Sequence, residues 1–351
     1  MKILYGVCGE GRGHASRSRI LIHHLQEKGH NVSIVAGGKA YTILSEEFDN
    51  VLKIESPQGF YKENQVRILY TLLHTVYQMI AHVPVSFFKV RRLIREFQPD
   101  LLMTDAEPIS YIAARFNDVK RMSLDNPTAL LYRKIPKKIQ EYPAWLFLFF
   151  ALKSSLWGAQ NYIIYDFSEE QIKNPRVLFV KPLIQPGIRQ QTSTPGDHIF
   201  VYQTLLTFPS LFASLKKIDE TFVIYGFDKD MVDENLIFRR FNDDEFYNDL
   251  AACKAVIVNG GFTAISEALY LKKPIFCLPI RHQFEQAFNA KCIEWMGVGV
   301  SHQKFYEDDL KDFLDNLSTF QEHLQKYDPG NQEEILARIE QEIQHVTIQK
   351  K

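Results

Sequence analysis

Residues 2–14, Lys2-Ile3-Leu4-Tyr5-Gly6-Val7-Cys8-Gly9-Glu10-Gly11-Arg12-Gly13-His14, govern the reading of the whole chain. Lys2–Val7 is apolar and β-prone, Cys8–Gly13 is a glycine-rich turn, and Ile20, Leu21 and Leu25 recur at the spacing of one helical face. Ser16 or Ser18 is placed to cap that helix, which ends at Gly29. Asn31–Ala36 is a second short strand closed by Gly37-Gly38, which completes a β-α-β unit. Further on, Val66–Phe97 has helical periodicity with a break or kink at Pro84. Leu101–Thr104 reads as a buried strand ending at Asp105, and a helix follows from Ile109 to Phe116. Strands alternating with helices predict a parallel sheet covered on both faces.

A chain of 351 residues is long enough for two such domains. With 46% hydrophobic and 24% charged residues, its composition excludes disordered, collagen-like and coiled-coil classes. Pro182, Pro186-Gly187, Thr192-Ser193-Thr194 and Pro195-Gly196 interrupt the periodicity. Beyond them the alternation restarts, with His198–Tyr202, Phe222–Tyr225, Ala255–Val258 and Pro274–Leu278 as strands. The expected layout is two tandem Rossmann-like α/β domains. They span residues 1–185 and 197–330, joined by a linker at 186–196, with a helix at 331–351 packing back on the first domain.

Charge divides the same way. Residues 1–190 hold 25 Lys and Arg against 17 Asp and Glu, a balance of +8, and residues 191–351 carry −9. A basic first half suits an anionic partner, or reflects solvated faces. Aromatic and basic residues do not interleave as in single-strand binders, so nucleic acid is not the expected partner. The most apolar run, Ala144–Leu152, follows Arg133, Lys134, Lys137 and Lys138. It is too short to span a bilayer and reads either as a buried helix or as a surface resting on anionic membrane. Cys8, Cys253, Cys277 and Cys292 lie far apart with no metal-ligand spacing, and Met1-Lys2 leads directly into a strand. The expectation is reduced thiols, no secretory leader and a cytoplasmic protein.

Gly9-Glu10-Gly11-Arg12-Gly13-His14 departs from the dinucleotide fingerprint, because His14 occupies the third glycine position and no acidic residue ends the second strand at Val35-Ala36. No Gly-Lys-Ser/Thr follows either, which excludes a phosphate-binding loop of the Walker type. What remains is a turn presenting backbone N–H groups and one imidazole at a helix start, where His14 is placed to act as a base. Asp105 should stand at the same sheet edge. It either orients that imidazole or caps the helix after Pro108.

The second half holds Val258-Asn259-Gly260-Gly261-Phe262-Thr263-Ala264-Ile265-Ser266-Glu267, a strand, a double glycine and a helix. Its unpaired N–H groups suit a diphosphate, and Glu267 is far enough along the helix to reach a ribose diol. Pro279, Gln283, Glu285-Gln286 and Asn289-Ala290 form a polar cluster after a buried strand, suited to sugar hydroxyls. Asp228-Lys229-Asp230 has the spelling of a metal-binding triplet but falls in a charged loop and reads as solvated surface.

Together these residues resemble the GT-B glycosyltransferases, in particular the branch holding the UDP-GlcNAc transferase of peptidoglycan synthesis and the UDP-glucuronosyltransferases. The resemblance rests on Gly13-His14 ending the first turn and on Gly260-Gly261, Glu267, Pro279, Glu285-Gln286 and Asn289-Ala290 in order. It implies two Rossmann-like domains with a ligand cleft between them and an inverting, metal-independent transfer from a UDP-sugar to a hydroxyl acceptor. UDP-sugar is then a co-substrate and no cofactor is needed. The resemblance further implies that Gly260 and Gly261, with Thr263 and Ser266 nearby, bind the diphosphate, and that Glu267 holds the ribose. Glu285 and Gln286 would read the sugar, and the segment Phe241–Phe246 would hold the uracil. His14 would be the base and Asp105 its partner, beside the turn glycines Gly9, Gly11 and Gly13. Asn259 stands where many relatives carry His or Arg, which implies phosphate contacts that are weaker or are shared with Arg281 or His282. Glu285 replaces the Asp of the glucuronosyl branch, so the donor sugar stays open. Close relatives act on lipid-linked or small apolar acceptors, which implies an acceptor at the inner face of the membrane. A UDP-sugar epimerase or hydrolase on the same fold and a non-catalytic UDP-sugar sensor are the competing classes. Acceptor dependence and the effect of His14→Ala separate them.

Overall fold

The computed structural model describes residues 1–55, 61–62, 64–66, 70, 74, 77–78, 81–133, 152–153, 159–168, 174–203 and 209–348. They fall into two compact units. The first comprises Met1–Phe60, Ile68–Leu183 and Gly330–Lys351, and the second Tyr61–Arg67 and Ile184–Pro329.

In the first unit β1 (Lys2–Val7), β2 (Asn31–Ala36) and β3 (Val51–Lys53) open the chain. A short antiparallel hairpin, β4 (Tyr61–Lys62) with β5 (Gln65–Val66), belongs to the second unit. The chain then returns to add β6 (Leu101–Asp105), β7 (Lys120–Asp125), β8 (Asn161–Tyr165) and β9 (Val177–Val180). The seven strands run in the order β3-β2-β1-β6-β7-β8-β9, all parallel. β1 and β2 expose only their first residue and β6 exposes none, the pattern of a sheet buried on both faces. Leu4, Val35 and Leu102 of the strands share a core with Val90 and Ile94 of the helix Val83–Phe97 and Tyr111 and Ala114 of the helix Pro108–Arg115.

Two local expectations are corrected. Val66 lies in β5, and Pro84 sits in the first turn of the helix Val83–Phe97. A missing N–H costs nothing there, so this proline opens a helix just after the turn at His82, a break in the periodicity and not a kink within one helix. Neither Ser16 nor Ser18 caps the helix Gly13–Glu27, which starts from Arg12 without a side-chain cap.

The last helix, Gln332–Ile348, buries Ile335, Ile339, Ile343 and Val346. Gln332 donates to the Pro182 carbonyl (3.0 Å), and Lys120 donates to the carbonyls of Val346 (3.0 Å) and Thr347 (2.8 Å). These bonds tie the end of the chain into the first unit.

The second unit repeats the plan. β10 (His198–Tyr202), β11 (Thr221–Tyr225), β12 (Met231–Asp233), β13 (Leu236–Phe238), β14 (Ala255–Val258), β15 (Ile275–Cys277) and β16 (Gly299–Ser301) run in the order β12-β13-β11-β10-β14-β15-β16. Only β12 is antiparallel to its neighbour. Ile199, Val201, Phe222, Ile257 and Phe276 form its core with Leu310 and Phe313 of the helix Glu307–Asp315. Strand order reverses at β1/β6 in one unit and at β10/β14 in the other. Beyond the carboxyl ends of strands at such a reversal, helices depart to opposite faces and leave a crevice.

Candidate active site

In the first unit that crevice holds the glycine turn. Val7 pairs with Asp105 in register, and the Cys8 N–H donates to the Asp105 carbonyl at 2.9 Å. Gly9 is buried against the turn after β2, where a Cβ would stand 2.7 Å from the Gly37 carbonyl carbon. No larger residue passes there without displacing backbone. Gly11 carries a φ of +76° and Gly13 begins the helix, so the turn delivers His14 to the helix's first residues.

His14 Nδ1 lies 2.8 Å from Asp105 Oδ1, with 15% of the imidazole side chain exposed and the carboxylate fully buried. Arg17, one turn along, donates through Nε to Asp105 Oδ2 at 2.6 Å, and its terminal nitrogen reaches both Asp105 Oδ1 and His14 Nδ1. Ser18 Oγ donates to Asp105 Oδ2 at 3.3 Å. Burial alone would push the Asp105 carboxyl up; the Arg17 guanidinium and His14 outweigh it and hold the group below the usual carboxylate range. The cap of the helix Pro108–Arg115 is Glu107, which accepts from the N–H groups of Ile109 (2.8 Å) and Ser110 (2.6 Å). Asp105 therefore does not cap, and its side chain faces His14. Arg17 escaped the sequence reading. The signal was its place three residues after His14, on the same helical face, because a buried arginine requires a carboxylate.

In the second unit β14 delivers Asn259 and Gly260 to the other crevice, and Gly261 precedes the helix Phe262–Tyr270. A Cβ on Gly260 would lie 2.4 Å from the Gln286 carbonyl oxygen. Gln286 Oε1 accepts from the N–H groups of Gly260 (3.2 Å) and Ile280 (2.9 Å), and Asn289 donates to the Gly260 carbonyl at 2.9 Å. Ser266 Oγ donates to the Phe262 carbonyl at 2.8 Å. Glu267 is buried on the helix, while Thr263 and Glu285 are half-buried. Phe246 is buried in a ring cluster with Phe200, Tyr225 and the half-buried Phe241.

The hairpin β4–β5 lands beside these residues. The Asn64 carbonyl accepts from the Arg281 N–H, and the Val66 N–H donates to the Arg281 carbonyl, each at 2.9 Å. Buried Asn64 takes the left-handed region, φ 49°, and its Oδ1 is 3.5 Å from Asn259 Nδ2. An asparagine tolerating that conformation was the only local signal.

Among the described residues no group of three or more His, Cys, Asp or Glu is gathered as metal ligands. Asp230 is exposed and accepts from the Arg240 N–H at 2.8 Å. Lys134, Lys137, Lys138 and the run from Ala144 lie outside the described residues, apart from Leu152 at its end. Arg133 is engaged internally with Asp166 (2.9 Å) and Ser168 Oγ (2.7 Å), which removes it from the basic flank read from sequence. No helix among the described residues is long and apolar enough to cross a membrane.

Two Rossmann-like sheets, each with polar residues at the reversal of its strand order, are the architecture of the GT-B fold. Residues 1–318 match the family described as glycosyl transferase family 1, and the chain belongs to it. An uncharacterized glycosyltransferase of Methanosarcina acetivorans is 24% identical over 331 residues, covering 85% of this chain and 83% of that protein. The spinosyn rhamnosyltransferase SpnG complexed with thymidine diphosphate superposes with a TM-score of 0.66 at 15% identity over 96% of both chains. MurG of Acinetobacter baumannii gives 0.58 at 14% identity, covering 98% of this chain and 99% of its own.

Proposed function

We propose that this glycosyltransferase is an inverting, metal-independent enzyme that moves a hexosyl group from a UDP-sugar to a hydroxyl of a lipid-linked or membrane-associated acceptor. The observation that carries the reading is the contact of His14 Nδ1 with Asp105 Oδ1 at 2.8 Å, beside the glycine turn of a family 1 chain. With the Nδ1 proton directed at Asp105, Nε2 keeps the lone pair that accepts the acceptor's hydroxyl proton. The oxygen then forms a bond to the anomeric carbon from the face opposite the diphosphate. The bond to the diphosphate oxygen breaks, and its electron pair leaves with UDP. The start of the helix Phe262–Tyr270 would stabilise that charge electrostatically, as a metal does elsewhere.

Support for a pyrimidine nucleotide comes from SpnG, solved with thymidine diphosphate. We favour UDP because buried Glu267 would hold a ribose diol, which a deoxyribose lacks. Support for the acceptor comes from the outer face of the first unit. Phe88 and Phe116 are 62% and 69% exposed, joined through Phe87 by ring contacts of 5.6 and 5.8 Å. Val85, Lys89, Arg95 and Arg115 are exposed on the same two helices. Exposed aromatics among cations suit the interface of an anionic membrane, whereas a second copy of this face would repel it.

The test is a panel of UDP-, dTDP- and GDP-sugars read by thermal shift and then by transfer. Ligand at about a hundred times its Kd adds about 2.7 kcal/mol. Stabilisation by UDP species with acceptor-dependent turnover supports the reading. Turnover of the donor without acceptor would point to the epimerase or hydrolase class, and stabilisation by dTDP species alone would replace UDP.

A further inference from the structure

We propose that Arg17 is a positioning residue of the proton-transfer site: it holds the Asp105 carboxylate against His14 and shares its charge, so that the imidazole meets the acceptor neutral and with Nε2 open. The inference rests on the reading of His14 as the base.

The geometry is that of a fork. Nε and a terminal nitrogen of Arg17 take the two oxygens of Asp105, and the same terminal nitrogen stands 2.8 Å from His14 Nδ1. A guanidinium only donates. Nδ1 therefore faces Arg17 when it carries the lone pair and Asp105 when it carries the proton. Only the second tautomer leaves a lone pair on Nε2. By fixing Oδ1 at 2.8 Å from Nδ1, Arg17 places the acceptor for that proton where the reactive tautomer needs it.

Arg17 is itself buried, stacked 5.6 Å from the Tyr165 ring centroid. Among the described residues, the groups around this cluster include Arg12 at the start of the helix, Tyr5 and Cys8 from β1 and its end, Glu10 in the turn, Glu107 after β6, Asp125 ending β7 and Tyr165 ending β8. Burial pushes the Tyr5, Cys8 and Tyr165 groups up, so they stay uncharged, and it raises Glu107 and Asp125 as well. The guanidinium bonded to Asp105 and acting on its charge is that of Arg17. His14 and Arg17 both lie against the Asp105 carboxylate and hold it ionised. Without Arg17 the site loses the positive charge that opposes protonation of the carboxylate and of the imidazole beside it.

The experiment compares wild type with Arg17→Met and Arg17→Lys by imidazole ¹⁵N NMR, with His14→Ala to assign the signal. The expected result is that the His14 ring signals change to the protonated pattern at higher pH in Arg17→Met than in wild type, and at the wild-type pH in Arg17→Lys. The acidic limb of the kcat profile should move in parallel while the donor KM stays unchanged. An unchanged midpoint in folded Arg17→Met overturns the proposal. If that variant does not fold, Arg17→Lys is decisive, because it keeps the charge and loses the fork. Lowered kcat at unchanged donor KM and melting temperature supports the role, and wild-type kcat overturns it. The NMR midpoint needs no turnover, so it stands apart from the base assignment, which full transfer by His14→Ala would defeat.

Discussion

Gly260 and Gln286 are in such close contact that the main chain of one leaves no room for a side chain on the other: a Cβ at 260 would stand 2.4 Å from the Gln286 carbonyl oxygen. The Gln286 carboxamide also ties Gly260 to Ile280, so one buried side chain sets the distance between the loops after β14 and β15.

Gly260→Ala should therefore destabilise the protein by about 1–3 kcal/mol through overpacking. It should also weaken stabilisation by a nucleoside diphosphate more than its loss of melting temperature explains. Differential scanning calorimetry with and without UDP measures both. Equal ligand shifts in wild type and variant would remove the loop from the donor site.

Glu267→Ala should keep the fold and lose the UDP-dependent shift while leaving any dTDP-dependent shift nearly intact, because only the ribonucleotide presents a 2′-hydroxyl. Titration calorimetry with the two nucleotides separates the cases.

Asp105→Asn leaves the buried Arg17 cation without its counter-ion, which costs about 3–5 kcal/mol, and should lower transfer by on the order of 10²–10⁴-fold. The sign of the pH effect follows from the depressed carboxyl. In wild type its stabilisation is fully present above the ordinary value of 3.8 and is lost as pH falls through the folded value. The variant should lack that acid-side loss when melting temperature is plotted against pH.

Asp125 has the opposite sign. Burial raises its carboxyl, and hydrogen bonds from Ser123 Oγ and the Thr128 N–H, both at 2.7 Å, offset this only in part. Its contribution is present below 3.8 and is lost as pH rises through the raised value. An asparagine there can accept from Thr128 and donate to Ser123. Asp125→Asn should thus flatten the decline in stability as pH rises above the ordinary carboxyl value of 3.8, followed by thermal melts.

Binding to vesicles of anionic lipid, measured by sedimentation, should fall roughly tenfold or more when Lys89, Arg95 and Arg115 become glutamine, and similarly for Phe88→Ser with Phe116→Ser. Equal binding to neutral vesicles in all variants would assign the exposed face another role.

Apolar strands, glycine turns and the order Gly260-Gly261, Glu267, Glu285-Gln286 are features of short windows. Each is set by steric and periodic rules that act between near neighbours, so fold class and family were legible in the residues alone. Pairings across the chain were not. His14 meets Asp105 across 91 positions because β1 and β6 are adjacent in the sheet, and adjacency is settled by packing of the whole core. The same packing turned Ser18 from an expected helix cap into a donor to Asp105 and left capping of the next helix to Glu107. It also carried Asn64 from the first half of the chain to the Arg281 backbone of the second unit. Arg17 shows the limit most plainly: the chain spells an arginine one turn past a histidine, and only burial beside a carboxylate from another strand gives that guanidinium its partners.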